Sequence, residues 1–146
     1  MDETLRDDIP QVSEEENEVL TAPFSDEEIK TAVFYMEHNK APGPDGFPNE
    51  FYQLCWEIVK LDLMSLFHEF HAKRLPIHSL NFGVITLLPK ITKAAWIQQY
   101  RPICLINVSF KIFTKVLNNR ILKVADKLIG PSKTAFILGC ISWKEL

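Results

Sequence analysis

The chain has 146 residues, 47% apolar and 24% charged, with a formal net charge of −3. That is the balance of one ordinary globular domain and excludes a fibrous or wholly disordered polypeptide. No basic segment followed by an apolar run opens it, and no apolar run approaches the ~18 residues of a membrane span. The expectation is therefore an intracellular protein, of cytoplasm or nucleus, with no secretory signal and no membrane contact.

Three cysteines, Cys55, Cys104 and Cys140, are an odd number without Cys-x-x-Cys spacing. They argue for a reducing compartment and against a disulfide framework or structural zinc. The small net charge conceals a gradient. Residues 1–38 hold twelve Asp and Glu against Arg6 and Lys30, whereas residues 73–146 hold twelve Lys and Arg against Asp126 and Glu145. A basic second half fits contact with polyanions. It also fits an acidic leader folded back onto the basic face.

In chain order, residues 1–20 are acidic with few apolar anchors and read as a disordered or loosely held arm. Ser25-Asp-Glu-Glu28 is a capping box. It opens a helix whose stripe is Ile29, Ala32, Val33 and Met36, ending near Asn39. The next stretch, Ala41-Pro-Gly-Pro-Asp-Gly-Phe-Pro48, has three prolines and two glycines in eight residues. It is a rigid loop with a turn at Asp45-Gly46. It is either a plain interhelical turn or a preset loop offering backbone groups to a nucleic-acid strand. It is not a phosphate-cradling P-loop, because no Gly-Lys-Ser/Thr follows.

From Asn49 to about Lys73 the pattern predicts one long helix, apolar on most sides and deeply packed. Its positions are Phe51, Leu54, Cys55, Ile58, Leu61, Leu66 and Phe70, widened by Val59, Leu63, Met64 and Phe67. His68 and His71 share a face, but their spacing is one short of His-Glu-x-x-His and no third ligand accompanies them, so they read as surface residues. Leu75-Pro76 breaks the helix.

Residues 84–105 then give two short apolar strands, Val84-Ile-Thr-Leu-Leu-Pro-Lys90 and Tyr100-Arg-Pro-Ile-Cys-Leu105, joined by residues 91–99. Each carries a proline beside a cation. Proline cannot donate to a sheet ladder and belongs at an edge or strand end. If the strands pair, Lys90 and Arg101 emerge at one end of a hairpin. There they are either two solvated cations or a phosphate-binding pair, the lysine as a point charge and the arginine as a fork. A third helix follows from Lys111 to about Leu128, ended by Gly130-Pro131. Its apolar positions are Ile112, Phe113, Val116, Leu117, Ile121, Val124 and Leu128. Lys111, Lys115 and Asn118/Asn119 form a polar stripe with Arg120 and Lys123 beside it, either simply solvated or part of a phosphate-binding surface with Lys90 and Arg101.

Four motifs lie in fixed order: Asn39-Lys-Ala-Pro-Gly-Pro-Asp-Gly46, Leu87-Leu-Pro-Lys90, Tyr100-Arg-Pro-Ile-Cys-Leu105 and Lys111-Ile-Phe-Thr-Lys-Val-Leu-x-Asn-Arg-Ile121. Together they resemble the N-terminal part of the reverse transcriptase domain of non-LTR (LINE-type) retrotransposons, in a plant-like style, over residues 20–139. The resemblance implies an α+β, mainly helical chain: the fingers of a partial right-hand polymerase fold with a short antiparallel β-hairpin, the palm catalytic core missing. Residues 1–20 would be the leader, 21–139 the fragment of that domain, and 140–146 a divergent tail.

By the same resemblance, Lys90 and Arg101 would contact the incoming triphosphate or the template. Pro42, Gly43, Pro44, Asp45 and Gly46 would lie near the template path, and Lys111, Lys115 and Arg120 match basic positions of the following helix. Two departures stand out: Lys133 replaces the family's Gln and Cys140 its Arg. The first catalytic aspartate and the paired aspartates are absent. Two-metal phosphoryl transfer needs them, and residues 73–146 offer only Asp126 and Glu145.

The expectation is a catalytically incomplete remnant of an RNA-directed DNA polymerase. No catalytic residue, metal ligand or cofactor is expected in it, although the intact family would use Mg. At most it would bind an RNA or DNA template-primer, or nucleotide phosphate, weakly. The alternatives are a helical module that binds a protein partner or itself through exposed apolar faces, and a product without selected function.

Overall fold

Serine-led capping boxes start the first two helices. The structure, a computed structural model, describes residues 11–129, the side chain of Asp126 excepted. Among these residues the elements are α1 (Glu14–Thr21), α2 (Asp26–Phe34), α3 (Asn49–Leu54), α4 (Trp56–His71), α5 (Ile77–Leu80), β1 (Gly83–Pro89), β2 (Tyr100–Ile106) and α6 (Val108–Leu128). The fold is thus mainly helical α+β, with one two-stranded antiparallel sheet. Two compact units divide the chain: Pro23–Val116, and Met1–Ala22 with Leu117–Leu146. Gly130, Pro131, Lys133, Cys140 and the divergent tail lie outside the described residues.

In the larger unit, Ser25 Oγ accepts from the Glu28 N–H at 3.3 Å, and Ser25 N–H donates to the Glu28 carboxylate at 3.1 Å. That is the reciprocal box the sequence announces. α2 stops at Phe34, short of Asn39. Gln53 explains the stop: its side-chain amide donates to the carbonyls of Val33 (3.0 Å) and Met36 (3.1 Å), satisfying acceptors that a helix end leaves open. Asn39 then adopts φ 56°, a left-handed conformation that asparagine tolerates.

The long helix expected from Asn49 to Lys73 is two helices. Cys55, at φ −96° and ψ 21°, breaks it. The break lets Tyr52 and Trp56 both point inward, while Leu54, Ile58 and Leu61 remain 86%, 75% and 71% exposed. The deep packing expected on most sides is therefore corrected: a segment apolar all round can bury only the side its neighbours cover. α4 itself ends at His71, with Lys73 at φ 57°.

The core of this unit joins Ile29, Ala32 and Val33 of α2, Tyr52, and Trp56, Leu63 and Phe67 to Val108, Ile112, Phe113 and Val116 of α6. Aromatic rings form its centre. Phe67 lies 5.0 Å from Phe24 and 5.3 Å from Phe113, and Phe70 meets Phe113 edge-on at 4.7 Å. Such pairs add to the stabilisation from buried area.

β1 and β2 pair in the register Gly83↔Ile106 to Pro89↔Tyr100, with Leu88 opposite Arg101. Lys90 N–H donates to the Gln99 carbonyl at 2.7 Å. By the antiparallel alternation, Leu88 and Arg101 then also form a hydrogen-bonded pair, and the nitrogens of Pro89 and Pro102 turn away from the partner strand. The prolines therefore cost the ladder nothing. α6 begins at Val108, three residues before the expected start, and the Asn107 carbonyl accepts from Phe110 and Lys111 N–H.

In the smaller unit, α1 (Glu14–Thr21) takes up residues 14–20 of the stretch that the composition assigned to a disordered or loosely held arm. Ser13 and Glu16 supply a second capping box, with Ser13 N–H to Glu16 Oε2 at 2.7 Å and Glu16 N–H to Ser13 Oγ at 3.2 Å. No residue of α1 is buried. Polar links hold it to α6: Lys127 Nζ lies 2.9 Å from Glu16 Oε2, and the Arg120 guanidinium donates to the carbonyls of Leu20 (3.2 Å) and Ala22. Among the described residues no helix is long and apolar enough to cross a membrane.

Candidate nucleic-acid interface

The hairpin brings Lys90 and Arg101 to the same end. Lys90 immediately follows β1, Arg101 is the second residue of β2, and both are exposed. Lys90 Nζ donates to the Gln98 carbonyl at 2.8 Å, an acceptor that leaves its charge unpaired. Lys93, exposed at φ 62°, lies in the connecting turn. Between Glu69 and Asp126 the sequence contains no Asp or Glu, so no carboxylate of the hairpin or its flanks neutralises these cations. Such a set attracts an anion through the field it creates.

Lys111 and Lys115 sit half-buried on the first part of α6. Lys111 Nζ donates to the Ala41 carbonyl at 3.2 Å. The Lys115 ammonium lies 4.6 Å from the centre of the Tyr35 ring, a cation–π contact. Both anchor the segment after α2.

The loop Pro42 to Gly46 is equally well held. Gly46 N–H donates to the Gly43 carbonyl at 3.0 Å, closing a turn with Pro44 and Asp45 at its centre. Gly46 has φ 76°, and Asp45 Oδ1 accepts from Phe47 N–H at 3.2 Å. Asn107 Oδ1 accepts from Asp45 N–H at 3.2 Å. At Gly43 a Cβ would stand 2.5 Å from the Asn107 nitrogen, so only glycine allows this approach. The loop is therefore preset against the start of α6. Beneath it, burial pushes the Tyr52 phenol up, helped by the nearby Asp45 charge and opposed by a hydrogen bond to Ser109.

Arg120 is not with the others. It is 4% exposed and committed to the carbonyls that end α1. The helical wheel placed it beside the cationic stripe, but the sequence could not show that α1 closes over it. Lys127 is likewise paired, with Glu16, whose carboxyl is held below its ordinary 4.5 by the Ser13 amide and then by Lys127. His68 and His71 are exposed in the last turn of α4, where Glu69 pairs with Arg74 at 2.8 Å. Among the described residues no group of three or more His, Cys, Asp or Glu is placed to hold a metal ion.

Sequence reading missed Asn107, whose value is positional. It also missed the Ser13 box, although Ser-Glu-Glu-Glu carries the same signal as the Ser25 box. Asn49 escaped it too: this residue is buried, donates to the Glu37 carbonyl at 2.6 Å, and leaves its side-chain oxygen without a partner among the described residues.

The chain is homologous to a segment of a transposon-encoded protein. That relative is the Transposon TX1 uncharacterized 149 kDa protein of Xenopus laevis, 34% identical over 138 residues that cover 94% of this chain. The chain spans 10% of that protein's length. No protein-family model matches the chain.

Proposed function

We propose that these residues are the fingers portion of a non-LTR reverse transcriptase, and that they hold the phosphates of a template-primer or nucleotide through Lys90, Arg101, Lys93 and the flank of α6 at Lys111 and Lys115. Carrying this reading is the hairpin end, where Lys90 and Arg101 emerge together from a stretch without carboxylates. The transposon relationship and the preset Pro42–Gly46 loop support it. Arg120 is left out of the set because it is buried. The carboxylates present do not fit a two-magnesium site: after Glu69 only Asp126 and Glu145 remain in the sequence. Nucleotide addition would require aspartates from outside these 146 residues.

The test is binding of a labelled RNA–DNA primer-template across a salt series, by this chain and by Lys90→Ala/Arg101→Ala. Each phosphate contact contributes about one unit to the salt slope, so the variant should bind more weakly with a slope shallower by about two. Equal binding and equal slopes would overturn the reading.

A second reading rests on Leu54 at the end of α3 and Ile58 and Leu61 on α4, exposed apolar residues where another protein surface could dock. Ile58→Lys/Leu61→Lys should then abolish concentration-dependent sedimentation without loss of stability. A wild-type chain that sediments as a monomer at all concentrations would count against self-association.

A further inference from the structure

The connector between the hairpin strands is a braced turn. The Gln99 side-chain oxygen accepts from the N–H groups of Ala95 (2.7 Å) and Trp96 (3.1 Å), and Gln99 N–H donates to the Trp96 carbonyl at 2.9 Å. Tyr100 Oη donates to the Ala94 carbonyl at 3.0 Å, and Lys90 Nζ to that of Gln98. The backbone on both sides of Trp96 is thereby fixed. Trp96 is nevertheless 71% exposed, whereas Trp56 is buried in the core. A large apolar ring held out on a braced turn loses little conformational entropy when a flat partner covers it.

The partner's chemistry follows from the surroundings. Lys90, Lys93 and Arg101 are exposed in and beside the same turn, and the nearest carboxylates in sequence are Glu69 and Asp126. An aromatic face among cations, with no acid near in sequence, suits a flat π-face carried on a polyanion. We propose that Trp96 is a stacking platform for an unpaired nucleobase, with Lys90, Lys93 and Arg101 taking the phosphates on either side. The ligand is single-stranded RNA or DNA, since a paired base keeps its faces inside the duplex stack. This rests on the nucleic-acid reading above and narrows it to the unpaired strand.

The experiment compares the full chain with Trp96→Ala and Trp96→Phe, using a labelled mixed-sequence single-stranded RNA of twelve nucleotides and a duplex of the same length. Trp96→Ala should weaken single-strand binding about tenfold, as expected for one stacked base, and Trp96→Phe much less. Duplex binding and the salt slope should not change, because no phosphate contact is lost; Lys90→Ala/Arg101→Ala should lower the slope instead. Single-strand affinity unaltered in Trp96→Ala while the double variant binds poorly would overturn the platform and leave the phosphate reading standing. No binding by the wild type would overturn both. A change in sedimentation without a change in RNA affinity would overturn the platform in favour of a contact between protein copies.

Discussion

Two residues in this chain have roles that their type alone does not announce. Gly43 permits the Pro42–Gly46 loop to press on Asn107, and a methyl there meets backbone at 2.5 Å. Gly43→Ala should therefore lower unfolding stability by about 1–3 kcal/mol, the usual cost of overpacking. Gly46→Ala has open space and pays only for φ 76°, about 1–2 kcal/mol. Urea denaturation of the two variants checks the order. Arg120 is the second case. Arg120→Met should cost about 2 kcal/mol by stranding the Leu20 and Ala22 carbonyls. Faster amide exchange in α1, with an unchanged salt slope for nucleic-acid binding, would mark its role as structural. The placement of Lys90 and Arg101 at one end of the hairpin was legible because a proline beside a cation at a strand end is a local pattern. Arg120 was not, because its fate depends on residues a hundred positions earlier.

The elements show the same division. The Ser25 box and the two proline-bearing apolar strands are local signals; α2 starts and the hairpin falls where the sequence put them, although α2 ends short of Asn39. The break at Cys55 is not local: Trp56 must turn inward to meet a core built partly by α6, and no propensity at Cys55 encodes that. α1 was misread because composition outweighed capping. Its attachment has a pH signature. Because Glu16 is held below its ordinary 4.5, the stabilisation it brings is complete above that value and is lost as the pH falls through the lowered one. Fraying of α1, followed by amide chemical shifts, should appear in that acid range and be weaker in high salt. In Lys127→Ala the Glu16 carboxyl should rise only part of the way, since the Ser13 amide, the larger cause, remains.

In the larger unit, the core is built on rings. Phe67 is 1% exposed and touches both Phe24 and Phe113. Phe67→Ala should cost about 3–5 kcal/mol, enough to leave a small domain largely unfolded at 37 °C in a thermal melt. The charge gradient is compatible with two arrangements, and one ion pair of the self-neutralising kind is present. The acidic leader neutralises the later part of α6 through Glu16 and Lys127, while the hairpin cations have no acid near them in sequence. The outward-turned prolines bear on a different matter. A two-stranded ribbon with apolar side chains on both faces is the kind of segment from which fibrils grow, one backbone edge recruiting the next. Pro102 interrupts the free edge of β2 three residues in, whereas β1 loses its outward donor only at its last residue, Pro89. Two copies pairing along β1 would hide both open edges and present Pro102 on each outer side. Each outer edge would then lack a donor near its start, which weakens further strand addition.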